Sequence, residues 1–332
     1  MSTRTALLEW LSSSRNPPVR YLVARDLLEP RPAPRDLARS RQEALEWEPL
    51  GSVLALQQED GSFPEQGRTQ TARPTFWALG LMQRCGLDIE DAPVSRAVDY
   101  LEERYASTGP ISYRHGASGV LPCYAGVVTT TLIKLGAGRR PMVRESLDWL
   151  VAHQRFDDKT ASAGGDDTWP YRTPANFGCW ESVSCYHGVA GAFRALAAVP
   201  RAERTAMQRQ RLDEALTYLR HRRLFRKSSS DRPLFRHMLQ PFLVGDYRSG
   251  LLDMLEGIAD ADPALAREPW VADSVAAMEA LTADGRVSLA KNYGRSLMDP
   301  IPFGTVGEPS RFLTYQWLRV RSALTPSPSV VA

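Results

Sequence analysis

Two cysteines hold the same place in successive repeats of this chain. Cys123 and Cys185 each stand directly before a tyrosine that opens an apolar run, Tyr124 in one case and Tyr186 in the other. Cys179 precedes Cys185 by six residues, His187 follows it by two, and Asp246 occupies the equivalent position one repeat later. Thiolate, imidazole and carboxylate are the donors that zinc takes, and a helix N-terminus favours the thiolate form. Neighbouring helices pack about 8–10 Å apart, so thiols at two adjacent helix starts could converge on one ion. Cys123, Cys185 and His187 would then be ligands, with Cys179 or Asp246 completing the set. The same thiols also suit a crowded core as small buried hydrophobes. Cys85, at a helix end before Gly86, reads as structural.

A second chemistry lies in the rings. Trp77, Tyr124, Trp180, Tyr186, Tyr247 and Phe312 could line an apolar cavity whose π faces suit an isoprenoid chain or a carbocation. At helical spacing such rings serve equally as plain core. Arg114 and His115 add polar candidates at the cavity mouth. Arg220, Arg222, Arg223, Arg226 and Lys227 cluster where a helix ends. They could hold a diphosphate, although cations there also complement the helix dipole. No phosphate-cradling glycine loop, dinucleotide fingerprint or serine-hydrolase elbow occurs.

The elements that must position these residues recur. An aromatic residue opens an apolar helical run at Phe76, Tyr124, Tyr186, Tyr247 and Phe312. Between these runs lie amphipathic ones such as VSRAVDYLEERY and VRESLDWLVAHQR, charged on one face. Repeats of this length imply stacked units that cannot bury their own apolar faces alone. Half-exposed helices alternating with apolar ones predict two concentric layers, an all-α barrel of five to six helical hairpins. The aromatic-led helices line its centre, and a central cavity opens at the rim where they begin. The connections 102–122, 155–184, 222–245 and 283–309 are long for loops and gather at that rim.

Gln57-Gln58-Glu59-Asp60-Gly61-Ser62-Phe63 closes an outer run with a glutamine, a tight turn and an aromatic, and His153 to Asp158 and Thr282 to Arg286 look like worn copies. The pattern resembles the Gln-…-Gly-x-Trp repeat of the terpenoid cyclase and protein prenyltransferase α/α-toroid superfamily, over roughly residues 50–322. The resemblance implies an α/α toroid, and either an enzyme acting on an isoprenoid-like substrate or a non-catalytic binding scaffold. Protein prenyltransferases hold zinc on this fold with Asp, Cys and His. Gly164-Gly165-Asp166-Asp167-Thr168 resembles the acid motif of class II terpene cyclases, which implies Asp166 as proton donor and Asp167 as its neighbour. A donor of that kind needs a carboxyl kept neutral by burial beside a second carboxylate; a solvated turn would carry the same residues.

The totals bound these readings. With 332 residues, 43% of them hydrophobic and 24% charged, the chain has the make-up of a globular protein. A net charge of +3 is too slight to imply nucleic acid. No apolar run reaches the roughly 18 residues of a membrane span, and Glu9 breaks Leu7-Leu8, the core a leader would need. Four cysteines do not form a disulfide framework at this length, which together with the missing leader predicts a cytoplasmic protein. Residues 1–48 read as N-terminal helices packed on or completing the barrel, 49–324 as the toroid, and 325–332 as a disordered tail. The expected partner is a small apolar ligand, with a protein or peptide as the other possibility.

Overall fold

The computed structural model describes residues 3–64, 71–106, 109–114, 119–157, 184–293 and 303–325. Helices dominate them: α1 (Thr3–Ser12), α2 (Pro17–Asp26), α3 (Pro34–Leu45), α4 (Glu48–Leu54), α5 (Arg73–Arg84) and α6 (Ala92–Tyr105) come first. After these follow α7 (Pro122–Lys134), α8 (Pro141–His153), α9 (Tyr186–Ala198), α10 (Ala206–His221), α11 (Leu251–Ala261), α12 (Pro269–Glu279) and α13 (Arg311–Leu324). The strands described are a two-residue pair, β1 (Thr282–Ala283) and β2 (Arg286–Val287). No described helix is long and apolar enough to cross a membrane.

Proline sets most helix starts. It occupies the first turn of α2 through α8 and again of α12, where its missing N–H costs nothing and its fixed φ is already helical. α10 uses a capping box instead, in which Thr205 accepts from Gln208 N and Gln208 accepts from Thr205 N, both at 3.1 Å. Glycine ends α5 and α7: Gly86 and Gly136 both take φ of +85°, a conformation that lets the chain leave the helix without a Cβ clash.

Among the described residues, six helices form the inner ring. α5, α7, α9, α11 and α13 pack in sequence, and α2 packs on α13. The turn after α5 closes the circle, because Gly86 lies against the Tyr21 ring of α2. Around them α6 packs on α5, α8 on α7 and α9, α10 on α9, α12 on α11, and α1 and α3 on α2. This is the α/α toroid that the alternating helix types predict. Gln57 sews two hairpins together: its amide donates to Gly61 O at 3.1 Å and to Pro93 O at 2.8 Å, while Phe63 is buried.

Two expectations need correction. α11 begins at Leu251, four residues after Tyr247, because Asp246 adopts a left-handed φ of +59° and turns the chain, and Asp253 caps the helix start by accepting from Gly250 N at 3.0 Å. The inner helices are also not apolar all round. α11 buries Asp253 and Glu256 at the barrel axis. Glu256 pairs with Lys134 of α7 at 2.7 Å and with Arg319 of α13; Asp260 pairs with Lys134 at 3.0 Å. Asp253 pairs with Arg84 of α5 at 3.2 Å and Arg194 of α9 at 3.7 Å. Burial alone would raise the Glu256 pKa, but Lys134, then Arg319 and Arg84, reverse this and hold it well below the usual carboxylate range.

The closest helix contact is between α7 and α9, where a Cβ on Gly126 would lie 2.2 Å from the Gly191 carbonyl carbon. Neither backbone can retreat without opening the ring, so Gly126→Ala is expected to cost at least about 2 kcal/mol in urea unfolding. Gly51→Ala in α4, where nothing lies within 4 Å of the new methyl, is expected to be neutral or to add about 0.5–1 kcal/mol. Equal stabilities for the two variants would contradict direct backbone contact between α7 and α9.

Candidate functional site

The inner helices bring their aromatic starts together at one rim. Phe76 of α5 meets Tyr124 of α7 at 6.4 Å between ring centroids, Tyr124 meets Tyr247 at 5.5 Å, and Tyr247 meets His187 of α9 edge-on at 5.3 Å. Tyr113 stacks on Tyr124 at 5.2 Å, and Phe235 stacks on His187 at 4.5 Å with His237 beside both at 5.3 Å. Phe76, Tyr113, His187, Phe235, His237 and Tyr247 are each half-buried, so they make a floor with accessible faces. Arg248 lies 4.1 Å from the Tyr247 ring centroid and 4.6 Å from that of Tyr293, and Arg114 lies over Tyr113 at 5.3 Å.

Beneath the floor, one ion pair fixes the polar atoms. Asp246 accepts from Arg73 at 2.9 Å, and Arg248 approaches the same oxygen at 4.0 Å. The Tyr124 phenol also bonds to Asp246; burial first, and then this carboxylate, push the phenol pKa far above its usual value. Cys123, the residue before, is buried, and burial followed by the nearby Cys185 raises its thiol pKa likewise. Burial is the main cause at His187 too, with His237 and Arg248 adding to it, and brings its pKa down to about 4. His237 falls to about 4 through burial and Arg248. Its Nε2 is buried and has no hydrogen-bond partner among the described residues.

The expected zinc donors distribute unevenly over this geometry. Cys123, Cys185 and Asp246 lie near one another, but Asp246 is held by Arg73 and Tyr124, and His187 is stacked among rings. Among the described residues no three His, Cys, Asp or Glu side chains are placed to hold a metal ion. Cys179 lies outside the described residues, as do Asp166, Asp167, Trp180 and His115. The flanks of residues 158–183 are tied together at the rim: Ser184 N donates to Asp157 O at 3.2 Å, and Asp157 N donates to Ser184 Oγ at 3.1 Å.

Other expected lining residues are placed differently. Trp77 is buried and borders a void of about 30 Å³ beneath Phe76 and Tyr124. Tyr186 is buried below Phe235, with its phenol donating to the Leu224 carbonyl. Phe312 packs on Trp47 and Phe303 instead of joining the floor. The expected opening of a central cavity at this rim is also corrected. The segment before α11 enters the barrel, where Leu243 O accepts from Arg84 Nε at 3.2 Å and Val244 fills the space over Gly80. An axial cavity of about 380 Å³ lies instead at the opposite end, where most of the inner helices finish. Phe235, His237, Arg248 and Tyr113 were not anticipated as site residues. Phe235 directly precedes the 3-10 turn Arg236–Leu239 that carries His237, and the closeness of two rings in sequence was the available signal.

No protein-family model matches the chain, and no curated protein sequence matches at a significant level. Among solved structures it is similar to two variants of the type II terpene cyclase MstE from Scytonema. One is in complex with its product, merosterolic acid A, and the other with its substrate, geranylgeranyl dihydroxybenzoate. Each is 14% identical, with a TM-score of 0.41, and the match covers 96% of this chain and 98% or 99% of that one. The likeness is one of outline. The toroid itself rests on the helix packing described above.

The two histidines set a pH dependence with a definite sign. Unfolded, each binds a proton below about 6.5; folded, each stays neutral down to about 4. The unfolded state therefore holds more protons between those values, and stability falls as pH drops through that window. The urea midpoint is expected to decline from pH 6.5 to 4, and less steeply in His187→Phe. Identical profiles for parent and variant would contradict the burial of His187.

Proposed function

We propose that this chain is a terpenoid-cyclase-like enzyme whose isoprenoid-like substrate lies across the aromatic floor. The observation that carries this reading is the continuous run of rings in which half-exposed Phe76, Tyr247 and His187 are joined through buried Tyr124, supplied by three inner helices and one loop. Such faces accept an apolar chain and stabilise positive charge passing over them. In the reaction proposed, Asp166 protonates a terminal alkene, with Asp167 as its carboxylate neighbour. The cation closes a ring on an internal alkene, and a proton is then shed. Neutral His237, whose buried Nε2 lacks a described partner, accepts that proton, so substrate and product have the same mass.

A second reading is a binding scaffold without catalysis. It is favoured by the position of Asp246 at the described rim, whose carboxylate is already engaged by Arg73 at 2.9 Å and by the Tyr124 phenol. One set of assays separates the two readings. Geranylgeraniol is added to the purified protein, binding is followed by tryptophan quenching, and products are sought by gas chromatography and mass spectrometry as isomers of unchanged mass. Tyr247→Ala is expected to weaken binding at least tenfold. Asp166→Asn is expected to lower turnover by at least about a hundredfold with binding within threefold of the parent. Binding without any isomer in the parent supports the scaffold, and no binding at all contradicts both.

A further inference from the structure

The geometry points to a second ligand site, at the end of the barrel where most inner helices finish, that takes a small organic monocarboxylate with an apolar body. It is separate from the aromatic floor and does not depend on it.

The axial cavity there, about 380 Å³, is bordered by Arg25, Arg84, Lys134 and Arg319, with Glu256 and Asp260 as its acids. That volume lies within the usual range for small-molecule pockets. The cations and acids sit at different depths. The side chains of Arg25 and Arg319 are 41% and 37% exposed, whereas those of their partners Asp26 and Glu256 are 21% and 5% exposed. Lys134 and Arg84, at 18% and 15%, likewise stand in front of Glu256 and Asp253. Asp260, at 28%, is more exposed than its partner Lys134, so a ligand entering the cavity meets the guanidinium groups of Arg25 and Arg319 first, and Glu256 lies deepest.

The charge balance sets the ligand's charge. The lining has Arg25, Arg84, Lys134 and Arg319 against Glu256 and Asp260. Asp26 and Asp253 pair with Arg25 and Arg84 from outside the lining. With Arg194 on Asp253, the ion-pair network comes to five cations against four carboxylates among the described residues. One further negative charge completes the set, and a dianion would exceed it. Helix ends do not reverse this, since the final carbonyls of α9 and α11 are occupied: Arg204 donates to Ala197 O, Val199 O and Ala261 O at 2.8, 2.9 and 3.0 Å.

The donors suit a carboxylate. A guanidinium carries five N–H groups in one plane, and Asp26 takes two from Arg25, at 2.7 and 2.8 Å. The remaining wall is apolar, with Leu22, Ile133, Val199, Pro200 and Phe312 able to cover a short hydrocarbon or a ring. Carboxylate at the arginines and apolar body against these residues is the arrangement the cavity fits.

The full chain is titrated with benzoate, benzamide and inorganic phosphate by calorimetry, and benzoate binding is mapped by amide NMR. Benzoate is expected to bind at least tenfold more tightly than either other probe, with the largest amide shifts at Ala198 and Val199. Arg25→Gln is expected to weaken benzoate at least tenfold while the melting temperature stays within a few degrees. Equal affinity for benzamide, tighter binding of phosphate, or shifts centred on the Tyr124 rim would each overturn the proposal. The probe comparison and the shift map use the unaltered protein, so they decide the matter even if Arg25→Gln does not fold.

Discussion

A single carboxylate at the barrel axis constrains the rest of this molecule. Glu256 is buried at the centre of the ring, and an isolated carboxylate there would cost several kcal/mol. Lys134 and Arg319 must therefore reach it from α7 and α13, and Gln316 adds a donor at 3.4 Å. One helix turn away, Asp253 draws in Arg84 from α5 and Arg194 from α9. Five of the six inner helices are thus tied through two acids on α11. Hydrophobic burial drives the layers together but does not select a rotation for each helix; paired buried charges do, because a rotated helix would leave one of them without a partner.

The same arrangement gives the two ends of the barrel different chemistry. Towards the helix starts, rings from α5, α7 and α9 converge over the Arg73–Asp246 pair, and the segment carrying Leu243 and Val244 fills the axis below them. Towards the helix ends, the space is open and lined by four cations together with buried Glu256 and half-buried Asp260. Direct contact of the α7 and α9 backbones at Gly126 and Gly191 sets how near Tyr124 and His187 can come. A larger residue at either glycine would separate the rings on which the proposed function rests.

Much of this order can be read from the residues in line. Proline-led starts and the alternation of amphipathic with apolar runs locate the helices, since both reflect local backbone and burial rules. The ion network is harder to see, because Asp253 and Glu256 are two acids in a short helix and their partners lie on helices up to 169 residues away in sequence. Their spacing of three puts them on one face, but nothing local says that this face is the inside. Tyr247 misleads for a related reason: it precedes an apolar run as the other aromatics do, yet the left-handed Asp246 makes it part of a turn. The filling of the axis by residues 240–249 is a tertiary fact with no periodic signature. At the rim, ring types were legible while ring partners were not, so Tyr124 and Tyr247 were anticipated as lining rings, His187 was read only as a metal ligand, and Phe235 and His237 were missed.

The most direct measurement of the central claim is a double-mutant cycle between Glu256 and Lys134, by urea unfolding of the parent, Glu256→Gln, Lys134→Met and the double variant. If the buried pair fixes α7 against α11, the two changes should couple by at least about 1.5 kcal/mol, the double variant being more stable than the sum of the single losses implies. Losses that add to within about 0.5 kcal/mol would mean that the pair does not hold the ring together.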